Sequence, residues 1–384
     1  MKQILQKLGN EWKDVLLWIV SAICAAFLLV GGLFYYYTGD PFGVVKYFRT
    51  FAVIESHYAG AIEKQELFNG SLEGIVGKLG DKHSIYLDGE NFQSFSDQTT
   101  GSYAGIGVYL GKGEDGALVA GVMDDSPASE AGLVRGDVIV AIDGTATKGR
   151  ELEDISKSVR GPAGSSVTLT ISHDGTEKDV VLERRQIHMK TVAGQMLEGT
   201  DIGYIRVAIF SENTGEEFTK QFDELQSQGM KQLILDLRDN PGGLVDQAVI
   251  VASNFVPTGS TIVSYTNRDG KEEAFSAKGT DNPIPMVVLI NENSASASEI
   301  VAGDVQDLGL GPIVGVKSYG KGTVQGVYAV DAGSAIKLTV AKYRTTKGRE
   351  IDGQGIIPDV EVPLKASDLT DYQLEKAIAI LKGE

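Results

Sequence analysis

Three serines alternate at Ser294, Ser296 and Ser298, and further along Lys321 sits between Gly320 and Gly322. A serine hydroxyl becomes a useful nucleophile when a neighbouring base takes its proton. Lysine can be that base once burial disfavours its charged form. No histidine occurs beyond His188 and no G-x-S-x-G elbow is present, so a Ser/His/Asp arrangement has no material in this half of the chain. Acyl chemistry also needs N–H donors for the developing oxyanion. The helix start near Ser296 offers them, and so does the Pro241-Gly242-Gly243 turn, where glycine leaves the backbone unshielded. Spacing does not choose among the three serines. A capping serine and a solvated loop lysine would give the same letters.

The elements that would position these groups are readable on either side. Met286–Ile290 has the length and branched content of a buried strand, and Ser298–Leu308 can be an amphipathic helix with Ile300, Val301 and Val305 on one face. Pro312–Val316 returns as a strand into the glycine-flanked lysine turn, which completes a βαβ outline with reactive groups at its loop end. Upstream, the pattern gives a strand at Gly203–Val207, a helix at Gly215–Gln228, a strand at Gln232–Leu237 and a helix at Leu244–Phe255. Downstream it gives a strand at Ala335–Tyr343 and a last helix at Asp371–Leu381. This is an α/β core, assigned to residues 189–365, with a C-terminal helix in 366–384.

The chain has 384 residues and 42% hydrophobic content, enough for packed cores. A net charge of −17 argues against nucleic acid as a partner. One cysteine, Cys24, and four scattered histidines (His57, His83, His173, His188) give no metal-ligand spacing, so no metal or cofactor is expected.

After a short segment 1–14, residues 15–39 carry no charge and are nearly all apolar, and roughly 20 such residues span a bilayer as a helix. Trp18 and Tyr35–Tyr37 would mark its two interfaces. A cleaved signal peptide fits less well, because the apolar run is long and no A-x-A site follows. Ile23 before Cys24 is too bulky for a lipoprotein cleavage site. Lys2, Lys7 and Lys13 against Lys46 and Arg49 favour a cytoplasmic N-terminus, which makes a single-pass cell-membrane protein with an extracytoplasmic body. Residues 40–98 read as helical, a stalk from Phe42 to about Ser96 that packs on the body and ends at a breaker-rich turn, 80–84.

From Gly101 the period shortens to strands. GIGV near the start, SPASEAGLVRGDVIVAIDG in the middle and GSSVTLTI after a helix at Glu151–Val159 together resemble a PDZ domain, assigned to 99–188. The resemblance implies an α+β module that captures a C-terminal tail as an added strand, its carboxylate held at Gly105, Ile106 and Gly107. Arg160 ends the helix, where it is read as a capping cation, with an ionic latch to the next domain as the alternative.

Five motifs in order resemble a carboxyl-terminal processing protease: LGDKHSIYL at 79–87, ILDLRDNPGGL at 234–244, NENSASASEIVAGDVQD at 291–307, YGKGTVQ at 319–325 and GREIDGQGIIPDVEV at 348–362. The resemblance implies a serine endopeptidase with Ser296 as nucleophile, Lys321 as base and Gln325 supporting the lysine. It places Ala297 and Gly242, with Gly243 as the other choice, at the oxyanion. It further implies substrates with accessible, apolar C-terminal tails, and self-association through the helical ends at 42–96 and 371–381. No cell-wall-binding module is expected after Leu381. The competing reading is a membrane-anchored PDZ scaffold whose protease-like core only binds.

Overall fold

The computed structural model describes residues 2–113, 116–173, 175–279, 283–365 and 367–384. It divides into two compact units, Met1–Gly74 and Ile75–Glu384. In the first, a helix runs from Lys2 to Thr38, and its stretch Val15–Thr38 has mean hydropathy 2.5 and is unburied. Those 24 residues make about 36 Å of helix, long and apolar enough to cross a bilayer core. Helices Gly43–His57 and Lys64–Gly77 follow, joined by a hydrogen bond of 2.8 Å between the Tyr47 and Ser71 hydroxyls.

In the second unit the helical stalk expected through Ser96 is interrupted. Ile85–Asp88 is a strand, paired antiparallel with Ser334–Lys337, and only then does a helix form at Gly89–Thr100. The free edge of a long neighbouring strand, not local propensity, decides the conformation of Ile85-Tyr86-Leu87. Next comes an antiparallel sheet of Val108–Lys112, Ala117–Val122, Val138–Ile142, Ser166–His173 and Thr176–Glu183, with Thr145–Ala146 at its side. Its apolar face packs on helix Leu152–Val159 through Ile155 and Val159. Ser126 caps the short helix Pro127–Glu130 with a bond of 3.2 Å from the Ser129 amide.

The larger sheet orders its strands as Val192–Met196, Ile202–Val207, Gln232–Asp236, Met286–Ile290, Ile313–Gly315 and Val360–Glu361. The first pair is antiparallel and the remainder parallel. Side chains alternate across a strand, and the core follows that rule. Leu233, Leu235, Val288 and Ile290 face helices Thr214–Ser227, Val245–Ser253 and Ala297–Leu308, whereas Ile234, Val287 and Leu289 face the C-terminal helix Tyr372–Lys382. Burial on both faces is why these strands read as continuous apolar runs. A second sheet, built on the hairpin of Thr323–Asp331 and Ser334–Arg344 with Thr261–Asn267, Glu272–Ser276 and Ile85–Asp88, lies outside the sequence expectations except for its Ala335–Tyr343 segment.

Candidate active site

The parallel strands Gln232–Asp236 and Met286–Ile290 are adjacent, so the loops leaving their C-terminal ends meet. The two loops are stitched together. Ala295 N–H donates to the Asn240 carbonyl (3.0 Å), the Ser294 hydroxyl to the Leu237 carbonyl (2.8 Å) and the Ser298 hydroxyl to the Asn240 carbonyl (3.0 Å). Two of the three alternating serines are thereby committed to structural bonds and are fully buried. The Ser296 hydroxyl, among the described residues, donates to no protein acceptor, and the residue stands at φ 56°, ψ −115° just ahead of helix Ala297–Leu308. A non-glycine residue held there carries strain of roughly 1–3 kcal/mol. The strand-to-helix elbow therefore exists without the glycine-flanked motif that usually announces it.

Glu299 joins this turn to the lysine turn. Its carboxylate is fully buried and accepts the Ser296 N–H (2.8 Å), the Gly320 N–H (2.7 Å), the Lys321 N–H (2.8 Å) and the Ser318 hydroxyl (2.5 Å). Ser296 and Glu299 form a capping box, and the Glu299 amide also bonds the Ser296 carbonyl (2.8 Å). Burial pushes the Glu299 carboxyl up, against the pull of those four donors. Tyr343 adds a second tie, its phenol donating to the Ser296 carbonyl (3.2 Å) and the Lys321 carbonyl. Gly322 is required because a Cβ there would lie 2.3 Å from the Asp352 amide nitrogen.

The Lys321 ammonium has no protein hydrogen bond among the described residues. Burial lowers its pKa from the ordinary 10.5 and the Lys337 charge adds to this, while Glu299 and Asp81 oppose it. Gln325 does not bond Lys321 here; its Nε2 donates to Thr323 Oγ1 (2.8 Å) and Thr339 Oγ1 (3.4 Å).

Gly242 (φ 93°) lies against the serine turn, where a Cβ would come within 2.7 Å of Ser296 Cβ and 2.9 Å of the Ala297 nitrogen. Its amide, however, donates to Asn240 Oδ1 (2.9 Å). The Ala297 and Gly243 amides have no protein acceptor among the described residues.

The 80–84 turn, expected to end a stalk, belongs to the rim of this site. Lys82 Nζ donates to Tyr319 OH (3.2 Å) and lies 5.0 Å from that ring, beside the lysine turn. Asp81 is held down at about 2, first by the Ser84 hydroxyl (2.6 Å), which in turn accepts the Thr339 N–H (3.0 Å). His83, read from sequence as structural, has its pKa lowered by burial and then by the Lys321 and Lys82 charges.

Between Val108–Lys112 and helix Leu152–Val159 runs a groove of about 700 Å³, lined in part by Tyr103, Tyr109, Met123, Leu152 and Arg160. Gly105, Ile106 and Gly107 line a small recess beside it. The Ile106 and Gly107 carbonyls are bonded inward to Ala128 N–H and Met123 N–H (both 2.9 Å), and their own amides have no protein acceptor among the described residues. Arg160 does not reach the α/β core: its guanidinium pairs with Asp97 (3.2 Å) and covers the Tyr103 ring at 4.7 Å.

Glu299, Asn240, Tyr343 and Asp81 were not singled out from the sequence. Only Glu299 left a local sign, an acid three residues after Ser296. Among the described residues no group of three or more His, Cys, Asp or Glu is placed to hold a metal ion. Replacing Glu299 by Ala would strand buried donors, so Glu299→Ala should lower stability by at least about 1–3 kcal/mol in thermal or denaturant unfolding. An unchanged melting temperature would show that the two turns are held by other contacts.

Comparison with known proteins places these features together. The sequence matches Peptidase family S41 over residues 201–362, a PDZ domain over 118–172 and the Activating protease CtpB N-terminal domain over 42–91. It is 32% identical over 355 residues to the carboxy-terminal processing protease CtpB of Bacillus subtilis (strain 168), covering 87% of this chain and 74% of that protein. It is 37% identical over 320 residues to the carboxy-terminal-processing protease of Bartonella bacilliformis, covering 81% of this chain and 73% of that one. A putative S41 protease from Bacteroides fragilis shares the fold, at TM-score 0.53 and 19% identity over 85% of this chain and 92% of its own. With the serine elbow, the glycine-flanked lysine turn and a PDZ module in one chain, the protein belongs to peptidase family S41 and is a serine-type peptidase of the carboxy-terminal processing group.

Proposed function

We propose that the protein is a membrane-anchored endopeptidase that uses Ser296 and Lys321 to cleave proteins selected by their C-terminal tails. The observation that carries this reading is the Glu299 carboxylate, which ties the one uncommitted serine, on a strained elbow, to a lysine whose burial favours the neutral amine. Neutral Lys321 accepts the Ser296 hydroxyl proton as the oxygen attacks a peptide carbonyl. The oxyanion forms beside the Ala297 amide and the 241–243 turn, where the free glycine amide is that of Gly243; Gly242 would serve after leaving Asn240. The Lys321 ammonium returns the proton to the leaving amine, and water attacks the acyl-enzyme with the same base. Ser296 and Lys321 are not hydrogen-bonded to one another, and catalytic contacts of this kind tighten on substrate binding. Gln325 supports Lys321 only by exchanging its bonds to Thr323 and Thr339.

Ser296→Ala and Lys321→Ala should each reduce cleavage of a protein with an unstructured apolar tail by at least about 10⁴-fold. Lys321 must be neutral, so the rate should rise with pH along a limb whose midpoint lies below 10.5. Full activity in either variant, or a rate flat with pH, overturns the pair, whereas a wild type inert on every such substrate would leave the scaffold reading.

The free amides at Ile106 and Gly107 would take the tail's carboxylate. Amidating the substrate's C-terminus should therefore weaken binding by roughly tenfold or more, measured as Kd or KM. Equal binding of acid and amide would remove that role.

Residues 15–39 would anchor the chain with its catalytic part outside the cytoplasm. The full chain should stay with carbonate-washed membranes and its body should be open to external protease in spheroplasts. Protection of the body would reverse the topology.

A further inference from the structure

The loop that carries the oxyanion turn is gripped from two sides. Leu237, Asp239 and Asn240 all bond toward the serine loop: besides the bonds of Leu237 and Asn240 already described, Asp239 N–H donates to Asn291 Oδ1 (2.9 Å), and Asp239 Oδ1 accepts from Asn291 Nδ2 (2.8 Å) and Asn293 Nδ2 (2.9 Å). Arg238 between them turns the other way. Its side chain is 11% exposed and grips Asp236, at the end of the central strand, through Nε (3.0 Å) and NH2 (2.6 Å). The rest of the guanidinium fork reaches the start of the C-terminal helix, with NH1 to Asp371 Oδ1, NH2 to Asp371 Oδ2 (both 2.8 Å) and NH1 to Gln373 Oε1 (3.1 Å). Asp371 is also the N-cap of that helix, accepting the Leu374 N–H at 3.0 Å. Gln373 is fixed in turn, its Nε2 donating to the Val362 carbonyl (2.7 Å).

We propose that Asp371 is a positioning residue for the peptidase reaction: docking of the C-terminal helix sets the oxyanion turn through the bidentate Asp371–Arg238 pair. The inference rests on the Ser296 and Lys321 reading and deepens it. A planar guanidinium bonded on two edges has one orientation, so the backbone of residue 238 is fixed from behind while its neighbours are fixed from the front. Without Asp371 the front bonds persist and Arg238 keeps its grip on Asp236, but the fork that fixes it to the start of the C-terminal helix is reduced to the single bond to Gln373, so the 239–243 turn is held less firmly from behind. Small misplacements of transition-state donors cost rate far more than they cost substrate affinity.

The test separates the ion pair from the cap. Asn caps helices as well as Asp does, so Asp371→Asn keeps the helix start while removing one of the two carboxylate charges that hold Arg238, the one on the C-terminal helix. Arg238→Lys keeps the charge and loses the fork. In the full-length protein, both variants should lower kcat by about tenfold or more with KM within about twofold, and should slow acylation of Ser296 by a fluorophosphonate to a similar degree. The melting temperature of Asp371→Asn should stay near wild type. The proposal is overturned if kcat and acylation stay within about twofold of wild type, if only KM changes, or if Asp371→Asn fails to fold, because the position then serves stability alone. Arg238→Lys is read only if it folds, and Asp371→Asn decides otherwise. Ser296→Ala is run alongside: activity surviving there defeats the nucleophile assignment whatever Asp371 does, whereas an inert Ser296→Ala beside a fully active Asp371→Asn defeats only the positioning role.

Discussion

A buried carboxylate has to find donors or lose its charge, and Glu299 finds four of them in two loops that are distant in sequence. Three are backbone amides, which cannot turn away as side chains can. Once the carboxylate is inside, the Ser296 turn and the 318–321 turn have fixed distances to one another. Pulling them apart would leave a charge and several polar groups dry and unpaired. Lys321, half-buried beside this clamp, has its charged form disfavoured by desolvation and then by the Lys337 charge, with the nearby Glu299 and Asp81 charges opposing.

The sheet brings the other half of the site to this clamp. Parallel pairing of Gln232–Asp236 with Met286–Ile290 sends both loops out on the same edge. Bonds from Ala295, Ser294 and Ser298 then fix the 237–240 segment against the serine loop. This packing holds Ser296 at a positive φ that its own preferences disfavour. Gly242 is part of the same constraint, since a methyl group at that position would occupy the space of the serine turn.

The strand Ile85–Asp88 and the turn before it bring a remote part of the chain to the same place. Strand pairing with Ser334–Lys337 puts Lys82 on Tyr319 and links Ser84 to Thr339. The motif at 79–87 is thus explained by proximity to the lysine turn. Its neighbour Asp97 holds Arg160 of the PDZ module, so the segment 80–100 touches both the peptidase rim and the groove beside helix Leu152–Val159.

Much was legible from residues alone where a local rule governs. The apolar runs Gln232–Leu237 and Met286–Ile290 announced buried parallel strands, the charge-free 15–39 announced a long apolar helix, and the glycine-flanked lysine with no histidine downstream narrowed the chemistry. The order of five motifs identified the family and the fold. What the letters could not supply were long-range pairings: a strand at 85–88 inside a helical pattern, the hairpin strand Thr323–Asp331, and the rim role of Lys82 and His83. Nor could spacing separate Ser294, Ser296 and Ser298. Tertiary structure separates them, because the acceptors that commit Ser294 and Ser298, the carbonyls of Leu237 and Asn240, lie more than fifty residues away in sequence. Sequence by itself determined which chemistry was available and which elements would carry it. Only the folded arrangement decided which hydroxyl is left uncommitted, because hydrogen-bond partners and burial are properties of neighbours in space.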